Sequence, residues 1–354
     1  MAGNSNLHIS RAGKTDEFYT QLSTIEDELR HYKEKFRGKV VFCNCDDPYE
    51  SNFLKYFAMN FNFLGLKKLI ATCYIGSPVA GRQLSLFDVD DMKSKTNDAK
   101  HSYKIEITEV TDENSDGAFD LTDVEYLLKN RENALTLLKG DGDFSSPECL
   151  ELLKECDIVV TNPPFSLMKE YLPLLVNSGK QFLVLGNTNH ATFNETFVYF
   201  KENRVWLGYN SGHFWFKVPD YYEVKTTDFK IDESGQKWRR MGNCCWFTNM
   251  DIEKRHQQLD LFKHYTPEEY PRYDTYDAIE CGHYNEIPMD TDKIIGVPIS
   301  YLAYHCNEQF EIVGEFRHGC DSEFDLAVPA VDGIAKYTRI AIRNRNPQRA
   351  GEQE

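Results

Sequence analysis

Between residues 39 and 200, short apolar runs alternate with stretches of helical periodicity. KVVFC enters the turn NCDDP, YESNFLKYFAMNF follows as a helix begun at Pro48, and KKLIATCYI is a second apolar run. One helix between two buried strands demands parallel pairing and a right-handed crossover. ALTLLKG, CDIVVTN and QFLVLGN extend the series as third, fourth and fifth core strands. PECLELLKE, SLMKEYLPLLVNSGK and ETFVYFKEN are the helices among them, the second kinked or interrupted at Pro173. The pattern predicts an α/β fold with a doubly wound sheet. Ligands of such sheets bind beyond the carboxyl ends of the strands.

The flanks read differently. Residues 1–15 form a polar arm, and STIEDELRHYKEKF is a helix with Ile25, Leu29, Tyr32 and Phe36 on one face, capped by Thr24 and ended by Gly38. Residues 76–125 are acidic and turn-rich, an insertion on the sheet's rim that carries one alternating run, YKIEITEV; VEYLLKN after it reads as helical. RVWLGYN, HFWFKV and NCCWFTN are strands at one antiparallel edge. Beyond about residue 250, loops rich in Tyr, His, Pro and acids dominate, with short β runs. The expected division is residues 1–250 and a smaller region, 251–354.

Composition sets bounds. With 41% hydrophobic residues in 354, a sizeable core forms. No apolar run spans a bilayer and no apolar leader opens the chain, so the expectation is a cytoplasmic protein. The ten cysteines include no CxxC pair and read as reduced, buried thiols. Cys281, His283, His305, Cys306, His318 and Cys320 match no zinc spacing, so no metal is expected. The net charge of −16 argues against a polyanion partner, yet AKYTRIAIRNRNPQR holds five basic residues and no acid. That tail is either part of a local basic cleft or a solvated terminus.

One stretch carries chemistry. In DIVVTNPPFSL, a strand ends on Asn162, and Pro163, Pro164 and Phe165 stand where the next helix should begin. The prolines fix φ and supply no N–H, so the turn is rigid and its carbonyl oxygens are left as acceptors. Asn162 adds an amide oxygen and Phe165 an aromatic face. Two acceptors suit the two hydrogens of an exocyclic amino group, and the ring suits a flat heterocycle. Hydrogen bonds accepted from the amine bias its nitrogen toward tetrahedral geometry and free its lone pair for an electrophile.

The chain resembles the EcoRI-type adenine-specific DNA methyltransferases of type II restriction systems. KTDEFYT (14–20), VVFCNCDDP (40–48), LKGDGDF (138–144), DIVVTNPPFSL (157–167) and KYTRIAIRNR (336–345) carry the resemblance, in family order along nearly the whole chain. It implies an S-adenosylmethionine-dependent, Rossmann-like methyltransferase sheet with a C-terminal target-recognition region. The implied reaction is methyl transfer to the amino group of an adenine rotated out of a short duplex site. NPPF-type turns also serve RNA adenines and protein glutamines, and a catalytically inactive nucleic-acid-binding relative is the further alternative.

The resemblance implies roles residue by residue. Asn162, Pro163, Pro164 and Phe165 are catalytic. Phe18 and Tyr19 pack near the cofactor and Thr20 binds its carboxylate. The usual glycine-rich turn is replaced by CNCDDP, which leaves Asp46 and Asp47 to accept from the α-ammonium. Asp143, with Asp141 as the weaker choice, accepts from the cofactor adenine, and Phe144 packs on that ring. No carboxylate follows the second strand to bind ribose. Lys237, Arg239, Arg240, Lys336, Arg339, Arg343 and Arg345 are the candidates for DNA contact. Close relatives recognise GAATTC. The expected partner is double-stranded DNA, the expected state a monomer, and any cognate endonuclease acts without a stable complex.

Overall fold

The computed structural model describes residues 19–45, 51–74, 102–111, 135–218, 222, 227–320, 323–325 and 327–348. The chain divides into two compact units, residues 1–186 with 212–246, and residues 187–211 with 247–354.

A ten-stranded sheet belongs mostly to the first unit. Its strands are β1 (Tyr19–Thr20), β2 (Val40–Cys43), β3 (Lys68–Thr72), β4 (Tyr103–Ile107), β5 (Leu135–Leu137), β6 (Ile158–Thr161), β7 (Gln181–Asn187), β8 (Trp206–Lys217), β9 (Phe229–Ile231) and β10 (Lys237–Thr248). They are ordered β1-β8-β10-β7-β6-β2-β3-β4-β5, with β9 on β10. β7, β6, β2 and β3 are mutually parallel, as their continuous apolar runs require. VVFC and IVVT bury every residue.

The helices of this unit are α1 (Leu22–Leu29), α2 (Asn52–Met59), α3 (Phe61–Leu64), α4 (Pro147–Glu155) and α5 (Met168–Ser178). α2 starts at a Ser51 cap, whose hydroxyl accepts from the Phe53 N–H at 3.2 Å. α4 combines a Ser146 cap with Pro147 in its first turn. α1 is shorter than its apolar spacing predicts. Gln21, not Thr24, stands at its cap, and the chain leaves the helix after Leu29 through a 3₁₀ turn at Lys33–Lys35. Ile25, Leu29, Tyr32 and Phe36 are nonetheless all buried.

Three further expectations are corrected. The run ALTLLKG is no core strand, because β5 lies at the sheet's end, antiparallel to β4, which is itself antiparallel to β3. α5 runs unbroken through Pro173. The bond that Pro173 forfeits is the one to the carbonyl of Lys169, an exposed residue where water can take its place. The stretches RVWLGYN and HFWFKV form one continuous strand, β8, which passes through Gly212 at φ +128°. Of the remaining expectations, residues 1–18, the turn at 46–50, most of the 76–125 insertion and VEYLLKN fall outside the described residues.

The second unit holds α6 (Asn194–Lys201) and the strands β11 (Ala278–Glu280), β12 (Ile294–Pro298), β13 (Phe310–Phe316), β14 (Ala330–Val331), β15 (Ile334–Ala335) and β16 (Arg339–Asn344). Its four-stranded sheet is ordered β11-β12-β16-β13, and β14 pairs with β15. The basic tail is therefore not a solvated terminus. As β16 it lies between β12 and β13, antiparallel to both, and its Ile340, Ala341 and Ile342 are wholly buried. Tyr273, Tyr276, Phe316, Val331 and Ala341 form a core cluster beside it.

All ten cysteines are free thiols, nine of them buried. Burial pushes Cys156 and Cys244 up to about 12, which keeps them protonated and unreactive. Among the described residues no helix is long and apolar enough to cross a membrane.

Candidate active site

The carboxyl ends of β2, β3 and β6 open on the same edge of the sheet, since the three strands are parallel. Asn162 follows β6 directly and is 6% exposed. Pro163 is buried and Pro164 half-buried. A 3₁₀ turn, Phe165–Leu167, leads into α5. The Leu167 N–H donates to the Pro164 carbonyl at 2.9 Å, so this oxygen is not left over as the proline pair suggested. The Pro163 carbonyl receives no hydrogen bond among the described residues. Phe165 is buried, 6% exposed, so its ring faces protein rather than solvent.

The turn after β5 closes against the same edge. Gly142 has φ +76°, and a Cβ there would collide with the Cys73 carbonyl at the end of β3. Ser102 donates to the Gly140 carbonyl at 2.5 Å, and Glu148 accepts from the Gly140 and Lys139 N–H groups at 2.7 and 3.1 Å. Those two backbone bonds hold the Glu148 carboxyl below its usual range. Asp141 caps the turn by accepting from the Asp143 N–H at 3.0 Å. Asp143 accepts from both the N–H and the hydroxyl of Ser145 through Oδ1, at 2.9 and 2.6 Å. Its rotamer is thereby fixed, and Oδ2 takes no bond among the described residues. Phe144 packs edge-on against Tyr171 of α5, with ring centroids 4.9 Å apart at 85°. The Tyr171 hydroxyl donates to Asn44 Oδ1 at 2.6 Å. One chain of contacts thus ties the turn after β5 to α5 and to the end of β2. The sequence reading passed over Asn44 and Tyr171. The signal for Asn44 was the parallel between VVFC-Asn and IVVT-Asn, two strands ending on the same residue type.

Tyr19 and Thr20 form β1 on the edge of β8, and both are buried. The Thr20 carbonyl accepts from Asn52 Nδ2 at 2.7 Å, which ties this segment to the start of α2. Thr20 Oγ1 is buried with no partner among the described residues. Phe18, Asp46 and Asp47 lie outside them. S-adenosylmethionine offers a carboxylate, an ammonium and an adenine amino group. A partnerless buried hydroxyl, a fixed carboxylate and a half-buried aromatic are donor, acceptor and stacking surface of the kinds it needs, and the residues fit it.

The basic candidates have distinct settings. Lys237, Arg239 and Arg240 are half-buried on β10. Lys237 donates to the Tyr222 carbonyl at 3.2 Å, Arg239 to the Asp228 carbonyl at 3.4 Å, and Arg240 lies 3.8 Å from the Asp228 carboxylate. In the second unit Lys336 is half-buried. Arg343, 45% exposed, lies 3.6 Å from Glu311, its cross-strand partner. Arg345 donates to the Asn307 carbonyl at 2.8 Å. Arg339 differs: it grips Glu280 through Nε and Nη2 at 2.7–3.1 Å, with the pair 11% and 8% exposed, and Tyr273 also bonds Glu280. Its charge is matched within the unit. Among the described residues no group of three or more His, Cys, Asp or Glu is placed to hold a metal ion.

A rigid Asn-Pro-Pro-aromatic turn at the carboxyl end of a parallel sheet, beside a glycine-turn carboxylate, defines the class of α/β amino-methyltransferases. The family described as adenine-specific methyltransferase EcoRI matches residues 6–351. The type II methyltransferase M.EcoRI of Escherichia coli is 42% identical over 352 residues, 98% of this chain and 99% of that one. M.MgeORF184P of Mycoplasma genitalium is 35% identical, over 96% of this chain and 99% of its own length. M.MpnI of Mycoplasma pneumoniae is 34% identical, over 95% and 97%. No solved structure matches. The chain belongs to the EcoRI family of adenine-specific methyltransferases and is a site-specific DNA adenine methyltransferase.

Proposed function

We propose that the edge formed by the ends of β2, β3 and β6 binds S-adenosylmethionine, and that the Asn162–Phe165 turn receives an adenine rotated out of duplex DNA. The observation that carries this is the acceptor turn itself: a strand end locked by two prolines, with a buried amide beside a Pro163 carbonyl that takes no bond among the described residues.

Asn162 Oδ1 and the Pro163 oxygen accept the two hydrogens of the adenine amino group. The nitrogen lone pair is thereby turned out of conjugation with the ring, with no charged base needed. Phe165, already packed into protein, gives the base a fixed apolar surface and keeps water from the acceptors, which strengthens both bonds. Thr20 and Tyr19, with Phe18, hold the methionine end of the cofactor; Asp46 and Asp47 take its ammonium; Asp143, backed by Asp141, accepts from its adenine and Phe144 packs on that ring. When bound, S-adenosylmethionine supplies a methyl group made electrophilic by its sulfonium. Lys237, Arg239 and Arg240, and in the second unit Lys336, Arg343 and Arg345, contact phosphates. Arg339 is left out of this set because Glu280 holds it. Residues beyond about 250 read the target. The enzyme acts in the cytoplasm as a monomer, one strand of the site at a time, and forms no stable complex with any cognate endonuclease.

The test is single-molecule sequencing of genomic DNA from a methylation-free bacterial host expressing the chain, scored for N6-methyladenine. One short motif modified at nearly every occurrence is the expected result. Folded protein that binds the cofactor yet leaves adenines unmodified would move the substrate to RNA or protein.

A further inference from the structure

The contact between Tyr171 and Asn44 has no part in the reading above, yet it lies at the centre of the edge. Carrying the β2–β6 register two residues past Phe42↔Val159 sets Asn44 level with Thr161, the residue before Asn162. Asn44 is 4% exposed and Thr161 is fully buried. Thr161 Oγ1 has no partner among the described residues. Asn44 uses Oδ1 to accept from Tyr171 and, at 3.5 Å, from the Cys45 thiol. Its Nδ2 makes no hydrogen bond among the described residues. Nδ2 is not among the fully buried atoms without a partner, so this donor keeps access to the edge while the acceptor beside it is pinned. Two adjacent parallel strands therefore end in polar groups that await a partner at the place where such sheets bind ligands.

Tyr171 decides where that donor points. Its hydroxyl holds Oδ1, so the amide plane cannot flip without breaking a short bond. Burial pushes the phenol well above its ordinary range, so it remains a donor at any working pH. The same ring seats Phe144 edge-on. One side chain thus fixes groups at two places, the end of β2 and the turn after β5.

We propose that Asn44 is a further cofactor-binding residue, donating through Nδ2 to an acceptor on the bound S-adenosyl compound, and that Tyr171 is its positioning residue. The inference rests on the cofactor reading given above.

The test is equilibrium binding of S-adenosylhomocysteine and S-adenosylmethionine by titration calorimetry, with melting temperature recorded for each variant. Tyr171→Phe keeps the ring against Phe144 and removes only the hydroxyl. It should weaken binding about tenfold, some 1.4 kcal/mol, and lower kcat/KM for the cofactor far more than kcat. Asn44→Asp keeps an acceptor for Tyr171 and removes the donor, and it should weaken binding at least as much. In an Asn44→Ala background, Tyr171→Phe should add nothing further. Unchanged affinity in Tyr171→Phe and Asn44→Asp, with only the melting temperature lowered, would overturn the proposal and leave the pair as structural. If Tyr171→Phe fails to fold, Asn44→Asp decides alone. A wild-type chain that binds neither compound would overturn the cofactor reading itself, a result distinct from variants that match a binding-competent wild type.

Discussion

At the scale of single residues, the acceptor role proposed for Asn162 has a sharp consequence. Asn162→Ala removes one of two acceptors without touching the cofactor's own contacts. Methyl transfer, followed as tritium incorporated into DNA, should fall about 10²-fold or more, with cofactor affinity within about threefold. An active mutant would remove Asn162 from the mechanism. The position and shape of this turn were legible because their logic is local: two prolines and a strand end carry their geometry wherever they occur. Arg339 shows the opposite case. In the run Arg339, Arg343, Arg345 nothing distinguishes the first arginine, since its partner Glu280 is 59 residues away in sequence. Pairing of that kind is decided by tertiary structure. Removing one member of a buried ion pair strands the other, so Arg339→Ala should cost about 3–5 kcal/mol in urea unfolding. Arg343→Ala, at an exposed pair, should change stability by no more than about 0.5 kcal/mol.

At the scale of elements, the turn that follows β7 gives a pH-dependent prediction. Asn187 opens a 3₁₀ turn, Thr188–Thr192, and its N–H donates to Nδ1 of buried His190 at 3.1 Å. Burial pulls this imidazole down to about 3. An unfolded histidine titrates near 6.5, so between these values the unfolded chain binds the extra proton. The contribution is full above about pH 6.5 and is lost as pH falls toward 3. From pH 7 to 5 the loss is about 2 kcal/mol, readable as a drop in the urea midpoint. His190→Gln should be less stable at pH 7 and show a flatter profile over that interval; equal slopes would assign the acid sensitivity elsewhere. What sequence made visible at this scale followed how much of an element's environment is its own. Strands buried on both faces announce themselves as VVFC and IVVT. The edge position of β5 and the central position of β16 do not, because sheet order depends on which strands meet, and LTL and RIAIRN have the same local character in either place.

For the whole molecule the problem is charge. A chain of net charge −16 must hold a polyanion, so its cations have to be grouped and its acids kept away from the path. Sequence showed the groups but not their surroundings. Lys237 and Arg239, two apart on β10, project to one face of that strand, spaced by one strand repeat. On β16, Arg343 faces solvent while Ile340, Ala341 and Ile342 are buried, so a core strand presents a cation without exposing its apolar residues. The two compact units likewise escaped a linear reading, since residues 187–211 join 247–354 across an intervening stretch. Each phosphate contact releases counterions and adds about 0.9 to the slope of log affinity against log salt. Charge reversal at Arg343 and Arg345 together should therefore lower that slope by about two and weaken binding most at low salt, with the melting temperature lowered slightly because the new charge at 343 faces Glu311. Lys237→Glu with Arg239→Glu should do the same if the β10 strand lies on the DNA path. A slope that stays constant in the first pair and falls in the second would assign the phosphate contacts to β10 alone. Constant slopes in both would remove these four residues from the path and leave the DNA to other cations of the chain.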